Sequence, residues 1–471
     1  MLSEDERTLL RWLSVFAGGW TFDAAEAMCP NLDVLSLLSQ LVNKSLVTVD
    51  EGMVTRYRLL ETIRQYARDK LLDMNESEQA RKAHLDYFVI YGEKAGLQVE
   101  NRGLFDWIPL FNPEYDNFRA AFEWGLDTNL EGCLRLIGAL AVYLFLSGHG
   151  ADGIQMANIA LARADSLPKP LDEKEARRQM AIRAKAFEGM SFFAYSQGDN
   201  QSALKAAEKC VALVRELNDD RTLSIALAFS GSCRLFLGDI NGAAEQIEEA
   251  EKIARNAEEK AALGIVLGVM AQLAMIRDRD LNAAGRYEDE GLELTADGGN
   301  SWVSSMLYFG TARGAMYRGD YTAARDRFLK CLPLFEAIKD EHRVNMIHSE
   351  FAHIERYEGR YAQAKEGYRK TILVWQKLGH RAAVAHQFES FAMIAIAESQ
   401  HERAAQLFGA AEILREKINI HMTPPEHVEY EKQVAKLHAS INDDSRFKAL
   451  WSEGRTMTME QAIQYCLHEE K

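Results

Sequence analysis

The chain has 471 residues, 47% of them apolar and 27% charged, with a net charge of −15 and a pI of about 5.4. An acidic surface repels phosphate backbones, which disfavours nucleic-acid binding by the chain as a whole. The six cysteines are scattered and include no Cys-x-x-Cys pair, which argues against a zinc module or a disulfide framework and favours a reducing compartment.

The sequence offers no membrane or secretion signal. Its longest apolar run, LIGALAVYLFL at residues 136–146, has eleven residues, well short of the ~20 that a membrane-spanning helix needs. The first residues are acidic and lack the pattern of a signal peptide. We therefore predict a cytoplasmic protein without membrane association.

Residues 1–75 predict a winged-helix domain. Periodic apolar residues indicate three helices, then alternation indicates two short strands, and a fourth helix follows. Three helices followed by a two-stranded ribbon is the order typical of a winged helix. The segments are, in chain order, ERTLLRWLSVF, TFDAAEAM, DVLSLLSQLV, SLVTVD, RYRLL and ETIRQYARDKLL.

The charge of this domain argues against direct reading of DNA. Residues 1–75 contain eight basic and eleven acidic residues. The third helix begins at Asp33 and reaches no cation before Lys44, whereas recognition helices use Arg and Lys for phosphates and Arg, Asn or Gln for base edges. A packing role between domains is favoured, and DNA binding remains the alternative.

Residues 76–177 are helical and apolar in pattern but follow no fixed period, and we interpret them as an irregular helical linker array.

Residues 178–419 repeat one phrase six times at intervals of 40 or 41 residues. The recurrent alanines are Ala203, Ala243, Ala283, Ala324, Ala364 and Ala404. Four residues later stand Ala207, Ile247, Tyr287, Phe328, Tyr368 and Phe408. Twelve residues before the alanines stand Ser191, Gly231, Ala271, Ala312, Ala352 and Ala392.

This pattern predicts stacked helical hairpins. Two antiparallel helices approach closely only where the side chains are small, and a lone hairpin cannot bury its own apolar stripe. The period of about 40 resembles the tetratricopeptide repeat, whose usual period is ~34. Turn glycines stand at Gly198, Gly238, Gly319 and Gly359, and Asp278 and Ser399 replace them in the third and sixth copies.

Two further signals complete the fold prediction. Pro333 falls inside the second helix of the fourth copy, where it should bend or shorten that helix. Residues 420–471 predict capping helices, one starting after Thr423 and one with a capping box from Thr458 to Gln461. The predicted fold is mainly α: an N-terminal winged helix followed by an α-solenoid of tetratricopeptide-like hairpins.

The repeat frame also predicts a binding surface. By analogy with tetratricopeptide repeats, certain positions of each first helix face a concave groove, and several of them here are aromatic or arginine residues, which binding hot spots favour. The alternative is that these residues are solvated or pack against each other. The predicted groove residues are Phe192, Tyr195, Gln272, Phe309, Arg313, Tyr317, His353, Arg356, Tyr357, His386 and Glu389.

Phrases along nearly the whole chain resemble one protein family. They are similar to the winged-helix plus tetratricopeptide-repeat region of bacterial STAND-type transcriptional regulators, including LuxR-type and SARP-like members. The phrases are LLRWLSVFAGGWTFDAAEAMC, LLSQLVNKSLVTVD, YRLLETIRQYARDKL, NPEYDNFRAAFEWGL, AAQLFGAAEILRE and RFKALWSEGRTMTMEQAIQYCL.

In that family the winged helix follows an NTPase domain, the helical repeats receive an inducer or partner protein, and some members end in a helix-turn-helix. This sequence contains no Gly-x-x-x-x-Gly-Lys-Ser/Thr motif, and four residues follow Leu467. The resemblance therefore implies an NTPase domain acting in cis or in trans, and both the NTPase domain and a C-terminal helix-turn-helix are expected to lie outside this chain.

We predict a non-enzymatic sensing and protein-interaction scaffold that binds a protein or small-molecule effector in its groove. No cofactor or metal ion is expected, since His348 and His353 are five residues apart and so lie on different faces of a helix. The alternative is a transcriptional regulator that binds DNA directly through its winged helix.

Overall fold

The computed structural model describes residues 2–52, 54–101, 110–147, 149–168, 170–196, 199–257, 259–295, 301–337, 340–418, 422 and 424–468. Within these ranges the chain forms 23 α-helices and one two-stranded sheet, which confirms the predicted fold class. Contacts divide it into two units, Met1–Leu307 and Tyr308–Lys471, which are described in turn.

The first unit begins with a winged helix. Its two strands pair antiparallel, with Val47 opposite Leu59. Ser3 and Glu6 form a capping box at the start of the first helix, and the Thr21 side chain caps the second. The predicted order is confirmed. The elements are α1 (Glu4–Leu13), α2 (Phe22–Met28), α3 (Val34–Asn43), β1 (Val47–Asp50), β2 (Arg56–Leu59) and α4 (Glu61–Asp73).

Four longer helices and a short 3₁₀ turn, Asn112–Glu114, follow the winged helix. Asn129 caps the third of these helices by accepting a hydrogen bond from the N–H of Gly132. The helices are α5 (Ser77–Asn101), α6 (Tyr115–Thr128), α7 (Leu130–Leu146) and α8 (Gly150–Asp165).

Three helical hairpins complete the first unit. Ala203 and Ala243 are fully buried. A methyl group added at Gly231 would collide with Ile247 and would lie 3.2 Å from the carbonyl oxygen of Ala243, so the second hairpin depends on the absence of a side chain there. Gly198, the predicted first turn glycine, lies outside the described residues. The hairpins are α9 (Glu173–Ser196) with α10 (Asn200–Leu217), α11 (Asp220–Phe236) with α12 (Ile240–Asn256), and α13 (Lys260–Leu273) with α14 (Leu281–Thr295).

The third hairpin is one residue out of the predicted register. Helix α13 continues into a π-helical turn, Ala274–Asp278, and the left-handed residue is Arg279 (φ 53°) rather than Asp278. The fully buried alanine is Ala284, whereas Ala283 is half-buried. The alignment of Asp278 and Ala283 with the other turns and alanines is therefore wrong, because a π turn holds an extra residue that a constant period does not anticipate.

The second unit contains the later hairpins and the C-terminal helices. Its turns place Gly319, Gly359 and Ser399 in the left-handed region, with φ of 79°, 76° and 61°, so Ser399 adopts the conformation that glycine supplies elsewhere. The helices are α15 (Ser301–Tyr317, from Tyr308 onward in this unit), α16 (Tyr321–Ala337), α17 (Glu341–Tyr357), α18 (Tyr361–Lys377), α19 (Arg381–Ala397), α20 (His401–Ile418), α21 (Pro424–Ile441), α22 (Asp444–Thr456) and α23 (Met459–Leu467).

The repeated small and aromatic residues form the core of this unit. Pro333 lies inside α16, yet the helix still extends over 17 residues, the same length as α17. The expected shortening by Pro333 is therefore wrong: the proline costs the helix one backbone donor without ending it. The fully buried repeat positions are Ala312, Ala324, Phe328, Ala364, Tyr368, Ala392, Ala404 and Phe408.

Two glycines bring α20 and α22 together. A methyl group at Gly409 would collide with the backbone of Trp451, and one at Gly454 would collide with the backbone of Gln406. The predicted capping box of Thr458 and Gln461 forms at the start of α23, while Thr423 lies outside the described residues.

One described stretch, Lys260–Asp278, is long and apolar enough to cross a membrane by length and composition. Of its most apolar window, 56% is buried within the protein. Burial of this kind is typical of a core helix, and the stretch forms the first helix of the third hairpin.

The contact at Gly454 yields a prediction. Gly454→Ala should lower the free energy of unfolding by about 1–3 kcal/mol, because the added methyl meets a backbone carbonyl that cannot rotate away. Gly310→Ala is the control, since nothing lies within 4 Å of the added methyl and alanine favours a helix interior by up to ~1 kcal/mol. Urea unfolding of both variants measures the difference, and equal effects would contradict the close contact.

Burial of His84 predicts a pH dependence. Its ring lies between Phe16 and Phe88, at centroid distances of 4.9 and 4.8 Å, and burial lowers its pKa from 6.5 to about 3. Between these two pH values the unfolded chain binds a proton at His84 and the folded chain does not. The free energy of unfolding should therefore be highest above pH ~6.5 and should decrease as the pH falls towards ~3.

The variant His84→Leu should weaken this dependence, measured as hydrogen exchange of α1 and α5 amides at several pH values. His348→Leu is the matched control, because His348 is exposed. An unchanged pH profile in His84→Leu would contradict a neutral, buried imidazole.

Candidate functional site on the first-helix face

The predicted groove residues of the first unit pack against neighbouring first helices. Phe192 is buried and its ring meets that of Phe229 edge-on at 4.3 Å, while the Tyr195 ring lies 5.8 Å from the same phenylalanine. Gln272 accepts a hydrogen bond of 3.1 Å from Ser232. These contacts join α9, α11 and α13, as the packing alternative anticipates.

The groove residues of the second unit form a polar cluster. Phe309 is the exception, because its ring lies 6.0 Å from that of Phe328, among the aromatic rings of its own hairpin. Arg313 contacts Glu350 at 3.1 Å and the Tyr317 hydroxyl at 3.2 Å. We call seven residues of α15, α17 and α19 the first-helix face: Arg313, Glu350, His353, Arg356, Tyr357, His386 and Glu389.

Helix α21 lies against this face. Arg356 is 8% exposed and donates to the Glu429 carboxylate at 2.8 and 3.4 Å, and the Tyr357 hydroxyl donates to it at 2.8 Å. Arg313 approaches Glu426, one turn earlier, at 3.9 Å. The groove that the sequence predicts for an effector therefore holds a helix of the same chain.

Burial, hydrogen bonds and neighbouring charges shift the pKa values of the carboxyl groups at this contact. Burial opposes ionisation of Glu429, but the hydrogen bonds from Arg356 and Tyr357 outweigh it and lower the pKa of this carboxyl. Burial raises the pKa of Glu350, against the opposing charge of Arg313. The Arg356 guanidinium also lies 4.3 Å from the centroid of the Tyr357 ring, a cation–π contact that fixes both side chains.

A neutral histidine lies at the centre of the face. Burial lowers the pKa of His353 well below its usual value, and His386 and Arg356 act in the same direction. Burial raises the pKa of Tyr368 to about 12, so its hydroxyl keeps its proton, and it shares a hydrogen bond of 2.6 Å with His353 Nδ1. The half-buried His386 ring is 4.7 Å from that of His353.

Glu389 is paired across the last hairpin. It is 2% exposed and accepts two hydrogen bonds from Arg415 of α20, at 2.6 and 2.9 Å. A buried bidentate pair of this kind fixes geometry, because removing one partner leaves an uncompensated charge.

Sequence reasoning missed the partners of these residues. The repeat frame assigns no role to Glu426, Glu429 or Arg415, which lie outside the first helices of the repeats. The available signal was the pair of glutamates three residues apart on a helix that follows two prolines. Nothing in that pattern indicates which surface the helix contacts.

Metal-ligating side chains are dispersed and cysteine thiols are buried in the described part of the chain. They include no group of three or more His, Cys, Asp or Glu side chains that could hold a metal ion. The six cysteines are all buried, and burial raises the pKa of the Cys233 thiol to about 11 and that of Cys331 to about 12. Such thiols stay protonated near neutral pH and are poor nucleophiles.

The winged helix presents few free cations. Lys44, at the end of α3, pairs with the buried Glu6, and Arg58 of the wing pairs with Asp50 at 2.8 Å. The exposed residues of α3 are uncharged: Leu35, Ser36, Ser39, Gln40 and Asn43.

The phrase NPEYDN holds the wing against the helices that follow. Arg56 of β2 is buried against Glu114, and it also donates to the backbone carbonyl of Pro113 at 3.1 Å. Asn117 donates to Glu114 at 2.7 Å and to the Gly19 carbonyl at 2.9 Å. The phrase that carries part of the family resemblance is thus a structural clamp.

Comparison with known families agrees with the two parts of the fold. Residues 2–72 match the family described as a winged helix-turn-helix domain. Residues 172–235 and 229–276 match the family of anaphase-promoting complex subunit 5.

The curated relatives include proteins named as HTH-type transcriptional regulators from Mycobacterium tuberculosis and Mycobacterium bovis. They are 29% identical over 331 residues, which is 69% of this chain and 37% of their own length. The chain thus spans well under half of these relatives.

Among solved structures, the chain is similar to a Signal Transduction ATPase with Numerous Domains (STAND) protein with a tetratricopeptide repeat sensor from Pyrococcus horikoshii. That match has a TM-score of 0.56 at 14% identity and covers 97% of this chain and 63% of the other. At this identity the likeness shows the fold alone. Together the comparisons confirm the resemblance predicted from the sequence in these respects: a winged helix at the N-terminus, relatives named as HTH-type transcriptional regulators, and a helical-repeat fold like that of a STAND protein.

Proposed function

We propose that this chain is the effector-binding part of a STAND-type transcriptional regulator and acts as a non-enzymatic scaffold in the cytoplasm. A protein or small-molecule effector binds at the first-helix face and favours one conformation of the helical repeats. The winged helix passes this shift to an NTPase domain in cis or in trans, since a ligand acts by its differential affinity for two states.

The observation that carries this proposal is the polar cluster on the first-helix face. Two arginines, two histidines, a tyrosine and two glutamates lie within one surface, and Arg356 is almost fully buried there. Such residues are expensive to desolvate without partners, and on this face the glutamates of α21 supply them. A ligand that binds here must therefore offer groups of matching charge and shape, and the regulator relatives supply the biological setting.

Site-specific photocross-linking in cells tests the proposal. A photoreactive phenylalanine derivative at Tyr357, which is 37% exposed on the face, should give a covalent adduct with the effector. Mass spectrometry of the recovered chain detects protein and small-molecule adducts alike. Adding Arg313→Ala should diminish the adduct, because a charged contact of the face is lost.

The matched control places the same derivative at Leu373, which is 47% exposed on α18, a second helix of the repeats. An adduct of equal yield at both positions, or none at Tyr357, would contradict effector binding at the first-helix face.

A second candidate function is direct binding of DNA by the winged helix, favoured by the family match over residues 2–72 and by the names of the relatives. Against it stand the uncharged exposed side of α3 and the ion pairs of Lys44 and Arg58. We therefore propose that the winged helix serves as a joint between domains.

A salt titration with duplex DNA of random sequence distinguishes the two roles. We expect no binding even at low salt, because the cations that would neutralise phosphates are engaged within the protein. Binding that weakens steeply with added salt, and weakens further in Lys44→Gln, would establish the DNA-binding alternative.

A further inference from the structure

Helix α21 contacts the first-helix face mainly through charged groups. Its Glu426 and Glu429 lie on one side of the helix, three residues apart, and meet Arg313 and Arg356 respectively. Tyr430, the next residue, packs edge-on against Phe408 with a centroid distance of 5.3 Å. The contact thus has a pattern, Glu-x-x-Glu-Tyr, with an arginine opposite each glutamate.

The same helix contributes one fully buried side chain, Leu437, to the apolar core. Tyr430, Val434 and Ile441 pack against that core but are only partly buried, and Val428 is 67% exposed. By contrast, eight residues of the preceding helix α20 are buried. The ion pair between Arg313 and Glu426 is long, at 3.9 Å, and partly exposed. With one fully buried side chain among those described, helix α21 is therefore held less firmly than α20.

We propose that the first-helix face recognises an acidic helix with the pattern Glu-x-x-Glu-Tyr, and that α21 occupies it until a partner protein supplies a helix of the same pattern. The partner helix is then the effector of the proposed function, on which this assignment rests. Arg313 and Arg356 select the two carboxylates and Tyr357 adds a hydroxyl donor. The aromatic ring packs beside the face, against Phe408 of α20.

The covalent link between α21 and the rest of the chain explains why it occupies the face in the absence of a partner. A tethered segment acts at an effective concentration of the order of millimolar, so modest contacts suffice to hold it. A partner helix needs either higher intrinsic affinity or an additional contact elsewhere to displace it.

A peptide of residues 424–441 added to the 471-residue chain tests the exchange. In the wild type the tethered copy competes, and labelled peptide should bind weakly. In the double variant Glu426→Gln, Glu429→Gln the tethered copy loses its charges while the face stays intact. Fluorescence anisotropy should show binding at least about tenfold tighter to this variant, and a peptide with the same two glutamines should not bind.

The matched control is Glu431→Gln, which removes an exposed charge from the same helix; the Glu431 side chain is 67% exposed and its ion-pair partner, His427, also lies on α21. Peptide affinity should equal that of the wild type. Equal peptide affinity for the wild type and the double variant, with the helical content of both unchanged, would overturn the proposal and make α21 a fixed part of the fold.

Hydrogen exchange of the unmodified chain gives a second measurement that needs no variant. Exchange in α21 should be severalfold faster than in α20, because fewer of its described side chains are buried. Exchange in α21 that is as slow as in α20 would also overturn the proposal.

The peptide experiment and the photocross-linking experiment can give negative results independently of each other. Peptide exchange needs no cellular partner, so it isolates the recognition of an acidic helix. If the peptide fails to bind while the adduct at Tyr357 forms, the effector binds beside α21 and only the helix assignment falls. If the peptide binds and no adduct forms, the face is a self-contact and the proposed function falls.

Discussion

The close approach of paired helices through small side chains is the constraint on which the rest of this structure depends. Ala203, Ala243, Ala364 and Ala404 are fully buried, and a methyl group added at Gly231 or Gly367 would meet the facing helix. The apolar sides of each hairpin are thereby used against neighbours. The side of the first helices that is not used in these hairpin contacts carries the charged cluster of the second unit, against which α21 lies.

Several ion pairs of this protein include buried side chains. The pairs Arg56–Glu114, Glu389–Arg415 and Arg356–Glu429 all include side chains that are largely removed from water. Desolvation offsets much of the Coulomb attraction in such pairs, so their contribution to net stability is small. Their effect is on geometry, because the planar guanidinium of arginine donates good hydrogen bonds only to a carboxylate in a suitable orientation.

The sequence predicted what is local and periodic. Six copies of one phrase predicted the helical hairpins. The capping box at Thr458 was predicted from residues close together in the sequence. The π turn after α13 escaped prediction because one added residue leaves the spacing of 40 or 41 almost unchanged. The occupant of the first-helix face escaped it because Arg356 and Glu429 are 73 residues apart. Positions on the face follow from the repeat, whereas partners across it depend on long-range packing.

Two of the motifs in the phrases that resemble the family serve local packing. NPEYDN and the glycines of α20 and α22 are packing devices: Asn117 bridges Glu114 and Gly19, and Gly409 and Gly454 admit two backbones to contact. Neither contains a reacting group. These contacts hold neighbouring elements together through backbone atoms and buried polar groups. Helix α21 has one fully buried side chain among those described and is held in addition by ion pairs to residues distant in the sequence. The first kind of packing is contained within a recognisable phrase, whereas the second depends on the tertiary fold.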